Sequence, residues 1–540
     1  MQDYTSVFSK TMIRTGAFLK GFRLDYRRGL IISLAFGFVL RLIPEVLSYP
    51  SPIGFDTVRE AARMKSGVVW YHWTTVFSTW LLYAILVPLY QIVSGDPFLL
   101  LKLMTPVLYA LNVCGVYYFS RRALDWDVQT GLIAAFFFAF QLASLRLSWD
   151  LQRNILGMAV LLFALPLIQK LETKQAFASF VFLSMLVVLS HEYASVVMFA
   201  VVLWVMRGIH LKAERRKLLK VFAAISPALA LFLASICLRM LYPEMFSPWF
   251  PLETNVIRTH QLAAPGGVFF LINYLNSSVS AIHYATYADL VLHFFSLFAV
   301  LFLLCLPLVI VGFFKERILG GWTLVLLAGT LSSLLIPFAA LIWWDRWMIL
   351  LTYPFTFYAV NGIQKVLNSK AEGIRPCSRW LRWMKVSKRT VYGILSLTVV
   401  LGSLLMSVRF REYGVFSIPT TSMYLPSTML QNTVPLQDVG GIVEAFEWFD
   451  SMDDVSGILV HHALLSWASL YLDKENVIFH FRENIDTALD VALGYGFSSV
   501  YLVWWNTNVE FYGLTVPKDF MAVFNCGRIS VFEYVQQHQV

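Results

Sequence analysis

Long apolar runs, separated by short polar or basic segments, make up most of the chain as far as about residue 408. An α-helix needs about 17 to 25 mostly apolar residues to cross the hydrocarbon core of a membrane, and many of the runs reach that length. An apolar stretch at 75–94 contains Pro88 and several aromatic residues, so we expect it to lie on the outer face as a juxtamembrane helix. The pattern predicts a polytopic α-helical membrane protein with about eleven spans, at 29–47, 98–120, 128–147, 154–169, 176–190, 195–207, 220–241, 287–313, 320–342, 347–366 and 390–408.

The pattern changes at about residue 409, where an ordinary mixture of polar and apolar residues begins. Segments with helical spacing then alternate with strand-like runs, in the order helix 441–452, strand 457–460, helix 463–472, strand 477–481, helix 484–493 and strand 499–504. This alternation is typical of an α/β structure. We therefore expect two domains, a membrane domain at 1–408 and a small α/β domain at 409–540.

The composition agrees with a membrane protein and argues against other classes of protein. Of the 540 residues 58% are hydrophobic and only 14% are charged, against about a quarter in a typical soluble domain, which excludes a soluble globular protein. The formal net charge of +9 does not indicate a nucleic-acid partner, because the Lys and Arg residues collect in short segments between apolar runs. The five cysteines form neither a CxxC metal site nor a disulfide framework.

The basic segments also predict how the chain is oriented in a cell membrane. Lys and Arg are dense before the first apolar run, at 14–28, and again at 207–220 and 365–389. Because cytoplasmic segments carry the excess of basic residues, we expect these three segments, and the N-terminus, to be cytoplasmic. The first apolar run lacks a small-residue cleavage pattern and is interpreted as a retained helix. The α/β domain follows an outward helix and is expected to be extracytoplasmic.

Charged residues stand at four points where predicted helices meet the outer face. They are informative because an ionisable group near hydrocarbon is costly and is therefore often functional. All four points fall on one side of the membrane under an orientation that depends only on the basic segments. The four are 52–60 with Asp56, Arg59 and Glu60, 148–154 with Asp150 and Arg153, 190–193 with His191 and Glu192, and 343–347 with Asp345 and Arg346.

These residue types suit a phosphate-bearing lipid substrate. Asp56, Asp150 and His191 are candidate ligands of a divalent cation, Mg²⁺ or Mn²⁺, through oxygen and imidazole nitrogen. Arginine presents a planar fork of donors to phosphate, which makes Arg346 a candidate phosphate ligand. Each cluster taken alone also fits a helix cap or a phospholipid headgroup contact, and Asp345 with Arg346 also fits a structural ion pair.

The overall arrangement resembles that of the GT-C glycosyltransferases: a cytoplasmic N-terminus, an acidic first outer loop, a juxtamembrane helix, a string of spans and an extracytoplasmic C-terminal domain. The family includes oligosaccharyltransferases, protein O-mannosyltransferases and lipid A aminoarabinose transferases, which use polyprenyl-phosphate-linked donors. Asp56, expected in an exposed loop, matches the family's essential first-loop Asp, and Asp150 stands where one branch has a second metal ligand. His191 resembles a histidine of many prokaryotic members, and Arg346 resembles a late-loop Arg assigned to the donor phosphate. The chain lacks the paired Asp-Glu of the O-mannosyltransferases and a WWD-type motif in its C-terminal domain.

The resemblance implies an enzyme that moves a hexosyl or pentosyl group from a polyprenyl-phosphate sugar to a glycan, lipid or protein acceptor, with inversion at the anomeric carbon. Asp56 would be the general base or a metal ligand, with Asp150 as a second catalytic residue. The substrate-binding residues would be Arg59, Glu60, Arg153, His191, Glu192 and Arg346. Two other classes stay open: a transporter or flippase of lipid-linked sugars, which the one-sided charges disfavour, and a non-catalytic membrane scaffold, which leaves the shared sidedness unexplained.

Overall fold

The computed structural model describes residues 25–65, 79–93, 95–211, 214–242, 255–259, 287–335, 344–369, 386–406, 429, 434–452, 456–472, 476–481, 484–497, 499–506 and 514–535. Helices dominate the described residues up to 406, and nearly all of the sheet comes from the residues after 434. The helices of the first part are α1 (Tyr26–Ser48), α2 (Phe55–Lys65), α3 (Leu81–Val93), α4 (Pro97–Arg122), α5 (Val128–Phe140), α6 (Leu142–Asp150), α7 (Gln152–Ala164), α8 (Lys174–Ser190), α9 (Glu192–His210), α10 (Arg215–Leu241), α11 (Tyr287–Phe298), α12 (Leu306–Gly312), α13 (Arg317–Leu335), α14 (Trp344–Leu350), α15 (Thr352–Asn368) and α16 (Lys388–Met406), with a 3₁₀ turn at Leu165–Lys170 and a π turn at Ala299–Leu303.

The chain is a multi-pass α-helical membrane protein, as its sequence predicts. Each of the eleven apolar segments coincides with a helix or a run of consecutive helices wherever its residues are described. By length and apolar composition, six of the described helices are long enough to cross a membrane alone, and two strongly bent pairs bring the number to eight. The count of eleven stays a prediction, because segments such as α8 contain fewer residues than the six long helices.

The stretch predicted to lie along the membrane surface forms α3. This helix has 13 residues, so it is about 20 Å long and too short for a hydrocarbon core of about 30 Å. Its buried residues Leu82, Tyr83, Leu86 and Val87 lie on one side of the helix, which contacts α2, α4, α7 and α8. Residues 75–78 and 94 of the predicted segment lie outside the described residues.

A bend of 62° separates α5 from α6. Gln141 stands at the bend, and its side chain is fixed by α15: its Nε2 donates to Thr356 Oγ1 at 2.7 Å, and its Oε1 accepts from Thr352 Oγ1 at 2.8 Å. Beyond the bend, α6 contains the charged residues Arg146 and Asp150, and both are buried. The bend therefore directs the end of one apolar segment into the protein interior.

A six-stranded sheet is built almost entirely from the last part of the chain. Its strand order is β1-β3-β2-β4-β6-β5; the neighbours from β1 to β4 are parallel, and β6 is antiparallel to both β4 and β5. The three predicted strands and three predicted helices are confirmed to within three residues. The elements are β1 (Val256–Arg258), α17 (Val439–Phe449), β2 (Gly457–His461), α18 (Leu465–Tyr471), β3 (Val477–Phe481), α19 (Ile485–Gly494), β4 (Val500–Trp505), β5 (Phe520–Cys526) and β6 (Ile529–Tyr534).

The α/β domain is not formed by residues after 408 alone. Strand β1 comes from the segment between α10 and α11, yet it pairs with β3, with Val256 opposite Ile478. Three residues are too few to show a period of two, so the sequence pattern does not reveal this strand. The α/β domain therefore includes a strand that precedes the predicted boundary between 408 and 409.

A buried apolar cluster contains residues of both domains, and α2 contributes to it. Val58, Ala61 and Ala62 of α2 belong to the same buried cluster as the apolar residues of the sheet and of α18. The Nζ of Lys65, at the end of α2, donates a hydrogen bond to the carbonyl oxygen of Leu470 at 2.9 Å. The α/β domain thus fixes the far end of the helix that begins beside Asp56.

Candidate active site

The turns that carry the first and second charged clusters pack directly on each other. Gly54 precedes α2 with φ of +97°, a conformation that glycine adopts without strain. A Cβ at Gly54 would lie 2.6 Å from the Cβ of Asp150 and 2.8 Å from the carbonyl oxygen of Trp149. The hydroxyl of Thr57 donates to the carbonyl oxygen of Ile53 at 2.6 Å and lies 3.3 Å from that of Trp149. Only a residue without a Cβ allows this close approach.

The sequence led us to expect Asp56 in an exposed loop, and this expectation is wrong. Asp56 lies in the first turn of α2 with 6% of its surface exposed. Its Oδ2 is 2.8 Å from Nη2 of Arg59, one helical turn later, and 3.4 Å from Nη2 of Arg346 in α14. The ion pair to Arg346 joins the first and fourth clusters across 290 positions of the chain.

The environment of Asp56 keeps it ionised. Burial raises its pKa, but four neighbouring guanidinium groups lower it and together outweigh burial. The pKa of Asp56 therefore lies below its ordinary value of 3.8. The four groups are, in decreasing order of effect, those of Arg59, Arg346, Arg153 and Arg146.

Asp150, predicted as a second catalytic residue, forms a buried ion pair with an arginine of its own helix. Its Oδ1 is 2.6 Å from Nη1 of Arg146, one turn earlier in α6. The guanidinium of Arg146 also lies over the ring of Trp149, 5.5 Å from its centroid. Asp150 thereby holds in place one of the four positive charges that act on Asp56.

Glu60 connects the first cluster to the second and to α3. Its Oε1 is 3.6 Å from Nε of Arg153, at the start of α7, and 4.0 Å from Nη2 of Arg59. Its Oε2 accepts a short hydrogen bond from the hydroxyl of Tyr83, which itself accepts one from Nη1 of Arg63 at 2.8 Å. Glu60 and Tyr83 are buried, whereas the side chains of Arg59 and Arg153 are partly exposed. This network orients Arg153 and Arg59 relative to Asp56.

The third cluster meets the fourth through aromatic rings. His191 caps α9, because its Nδ1 accepts a hydrogen bond from the backbone N–H of Tyr193 at 3.1 Å. The ring of Tyr193 lies 4.9 Å from that of Trp347, next to Arg346 in α14. Glu192 is close enough to Arg153 for the two charges to interact. All four clusters are therefore connected, although they are far apart in the sequence.

The described residues do not support the predicted metal site. Among them, no group of three or more His, Cys, Asp and Glu side chains is arranged to hold a metal ion, so Asp56, Asp150 and His191 form no such set. The physical reason is that the carboxylates of Asp56 and Asp150 form ion pairs with the guanidinium groups of arginines. We therefore derive no step through a divalent cation, and metal dependence stays a prediction for a chelator assay. Trp343, in the fourth cluster, lies outside the described residues.

A second group of buried charges was not predicted. Arg41 is 0% exposed, and its Nη2 is 2.7 Å from Oε1 of Glu45, whose Oε2 is 3.2 Å from Nζ of Lys102. The Nε of Arg41 also donates to the hydroxyl of Ser148 at 2.8 Å. Arg41 thus supports the turn that ends in Asp150. Single charges inside apolar runs are the only sequence signal for these residues.

Two nitrogen atoms in the first and second clusters are buried and, among the described residues, without a hydrogen-bond acceptor. They are Nε of Arg59 and Nε1 of Trp149. Buried donors are nearly always paired, so an exception beside a charged cluster calls for an explanation. The Nε of Arg59 belongs to the same guanidinium that binds Asp56, and it is suited to an anionic oxygen.

Comparisons with known proteins give structural matches only. No family model and no curated protein sequence matches the chain. Among solved structures, ArnT from Cupriavidus metallidurans bound to undecaprenyl phosphate is similar with a TM-score of 0.49 and 10% identity, over 95% of this chain and 99% of that one. Arabinofuranosyltransferase AftD from Mycobacteria is similar with a TM-score of 0.48 and 12% identity, over 95% of this chain and 40% of that one. Both TM-scores are below 0.5, so neither match assigns an activity.

Proposed function

We propose that the chain is an integral-membrane glycosyltransferase. It moves a sugar from a polyprenyl-phosphate-linked donor to a hydroxyl of a glycan, lipid or protein acceptor on the outer face. The observation that carries the proposal is the ion pair of buried Asp56 with Arg59 and Arg346, which come from two helices that are far apart in the sequence. A carboxylate surrounded by guanidinium groups at the ends of apolar helices provides both a base and an anion site.

The arginines are the donor-binding groups in this proposal. A phosphate accepts two parallel hydrogen bonds from a guanidinium, and such charge-assisted bonds are about twice as strong as neutral ones. Arg346 is 17% exposed and pairs with Asp56 at 3.4 Å, a long contact that a phosphate can replace. The unpaired Nε of Arg59 supplies a further donor. Arg153, held by Glu60 at 3.6 Å, is the third candidate ligand.

The reaction is a single displacement at the anomeric carbon. The acceptor hydroxyl oxygen forms a bond to that carbon, while the bond from the carbon to the phosphate oxygen breaks and its electron pair leaves with the polyprenyl phosphate. The hydroxyl proton passes to a carboxylate oxygen of Asp56. Arg346 and Arg59 stabilise the negative charge that develops on the leaving phosphate. The configuration at the anomeric carbon inverts.

Donor binding would also increase the basicity of Asp56. The arginines hold its pKa low, and an ionised carboxylate with a low pKa is a weak base. A bound phosphate neutralises part of that positive field and adds a negative charge nearby, and both effects raise the pKa of Asp56. The base therefore becomes effective when the donor is present.

Binding of polyprenyl phosphate to purified variants tests the donor site. Arg346→Lys keeps the charge but loses the fork of two donors, so its affinity should fall, and Arg346→Ala should bind about tenfold more weakly or worse. Arg389→Ala, an exposed arginine at the start of α16, is the matched control and should bind like wild type. Unchanged affinity of Arg346→Ala at a matched folded fraction would make Arg346 a structural partner of Asp56 only.

A further inference from the structure

A cavity of about 440 Å³ opens where the end of α4, the 3₁₀ turn after α7 and the start of α8 meet. Its lining includes the apolar residues Phe163, Leu167 and Leu183 and the basic residues Arg122 and Lys170. The cavity is far larger than a water molecule and combines cationic groups with apolar surface, which we call its apolar wall.

This cavity lies at the opposite end of the helices from Asp56. The 17 residues of α8 extend about 25 Å from the cavity to Ser190, which directly precedes His191. Likewise, α7 begins beside Arg153 in the candidate active site, and its 3₁₀ extension ends at Lys170 in the cavity. The cavity is therefore a separate site at the other membrane face.

Neither basic residue of the cavity is neutralised by a carboxylate. Within the described part of the chain, Arg122 and Lys170 have no acidic group within 4 Å, and the nearby Glu172 does not line the cavity. The guanidinium of Arg122 lies over the ring of Tyr26, 4.5 Å from its centroid. Tyr26 thus orients the guanidinium, through its ring and through a side-chain hydrogen bond, and arginine has five N–H donors, so others can bind an anion.

We propose that this cavity binds the phosphate of an anionic membrane phospholipid. Arg122 and Lys170 would hold the phosphate, because basic residues near a membrane surface attract anionic headgroups and arginine binds phosphate oxygens in pairs. One acyl chain would pack along Phe163, Leu167 and Leu183. Free inorganic phosphate could satisfy the cations but not the apolar wall, so the lipid is the better occupant.

Lipid retention in nanodiscs tests the proposal. Purified protein is reconstituted in phosphatidylcholine with a minor fraction of phosphatidylglycerol, and retained lipid is counted by native mass spectrometry. Wild type should keep phosphatidylglycerol in preference to phosphatidylcholine. The double variant Arg122→Ala/Lys170→Ala should bind it about 30-fold more weakly, the combined effect expected for two basic residues at an anionic lipid surface.

Two further variants separate the cavity from charge in general. Lys174→Ala/Arg389→Ala removes the same charge from exposed positions outside the cavity and should retain the lipid like wild type. Ser179→Leu fills part of the cavity, keeps both cations and should weaken retention. Equal retention by wild type and the cavity double variant, or equal loss in the control, would overturn the proposal. A third result would also overturn it: added inorganic phosphate binds in pure phosphatidylcholine nanodiscs, and the mixed nanodiscs show no preference for phosphatidylglycerol.

Discussion

Asp56 is held by charges that come from separate parts of the chain. Its buried carboxylate pairs with Arg59 of its own helix and with Arg346 of α14. The charges of Arg146 in α6 and Arg153 in α7 also act on it. Taking one partner out of a buried ion pair leaves the others uncompensated, which typically costs about 3 to 5 kcal/mol. Asp56 therefore contributes to the stability of the fold, in addition to the role as general base that we propose for it.

Thermal unfolding as a function of pH tests this double role. The pKa of Asp56 is lowered in the folded protein, so its ionisation stabilises the fold above the unfolded pKa of about 3.9 and ceases to do so as the pH falls through the folded pKa. Asp56→Asn should lower the free energy of unfolding by about 3 kcal/mol near pH 7. The difference from wild type should stay constant from about pH 5 to 8 and shrink below about pH 4. A difference that shrinks near neutral pH would contradict the lowered pKa.

The residues of the four charged clusters could be identified from the sequence because charged side chains at helix ends stand out against apolar runs. The sequence did not show that Asp150 pairs with Arg146, or that Arg41, Glu45 and Lys102 form a buried group. Those contacts depend on which helices are neighbours and on the bend between α5 and α6. Local periodicity in the sequence predicts neither. Burial of Asp56 was missed for the same reason, since α2 is covered by residues from distant segments.

At the scale of elements, the junction of α1 and α2 depends on a glycine. Gly54 combines a positive φ with a contact that would place a Cβ 2.6 Å from Asp150. Gly54→Ala should therefore unfold at lower temperature and lose most of its polyprenyl-phosphate binding, because the turns that carry the first and second charged clusters must separate. Backbone strain alone costs about 1 to 2 kcal/mol at such a position.

Gly496→Ala is the matched control for this prediction. Gly496 has φ of +87° but no atom within 4 Å of the added Cβ, so the substitution introduces strain without a clash. It should lower stability by about 1 kcal/mol and leave lipid binding unchanged. If both alanine variants behave alike in binding, the contact between those two turns is not needed for the site.

Elements with many periodic residues were predictable, and short ones were not. The strands at Gly457–His461 and Val477–Phe481 follow from runs of buried apolar residues between turns. Strand β1 has three residues, and β5 is buried at both ends and mostly exposed between them, so neither gives a clear pattern. The pairing of β1 with β3 also crosses more than 200 positions, which no local signal encodes.

At the scale of the whole molecule, orientation in the membrane is the prediction on which outer-face chemistry depends. In a variant in which serines replace the five native cysteines, a cysteine at exposed Ser451 should react with an impermeant maleimide in intact cells. A cysteine at exposed Arg389, at the end of a basic segment, should react only after permeabilisation. The reverse pattern would put the Asp56 cluster on the cytoplasmic side and rule out the proposed topology.

Release of polyprenyl phosphate from a panel of labelled polyprenyl-phosphate sugars tests most directly whether Asp56 is the centre of a glycosyltransferase. Wild type, Asp56→Asn and the exposed control Asp486→Asn are compared at matched folded fractions. Wild type and Asp486→Asn should turn over one member of the panel at equal rates, and Asp56→Asn should be slower by about 100-fold or more, the usual contribution of a general base. Turnover by Asp56→Asn at the wild-type rate would contradict the assignment of Asp56.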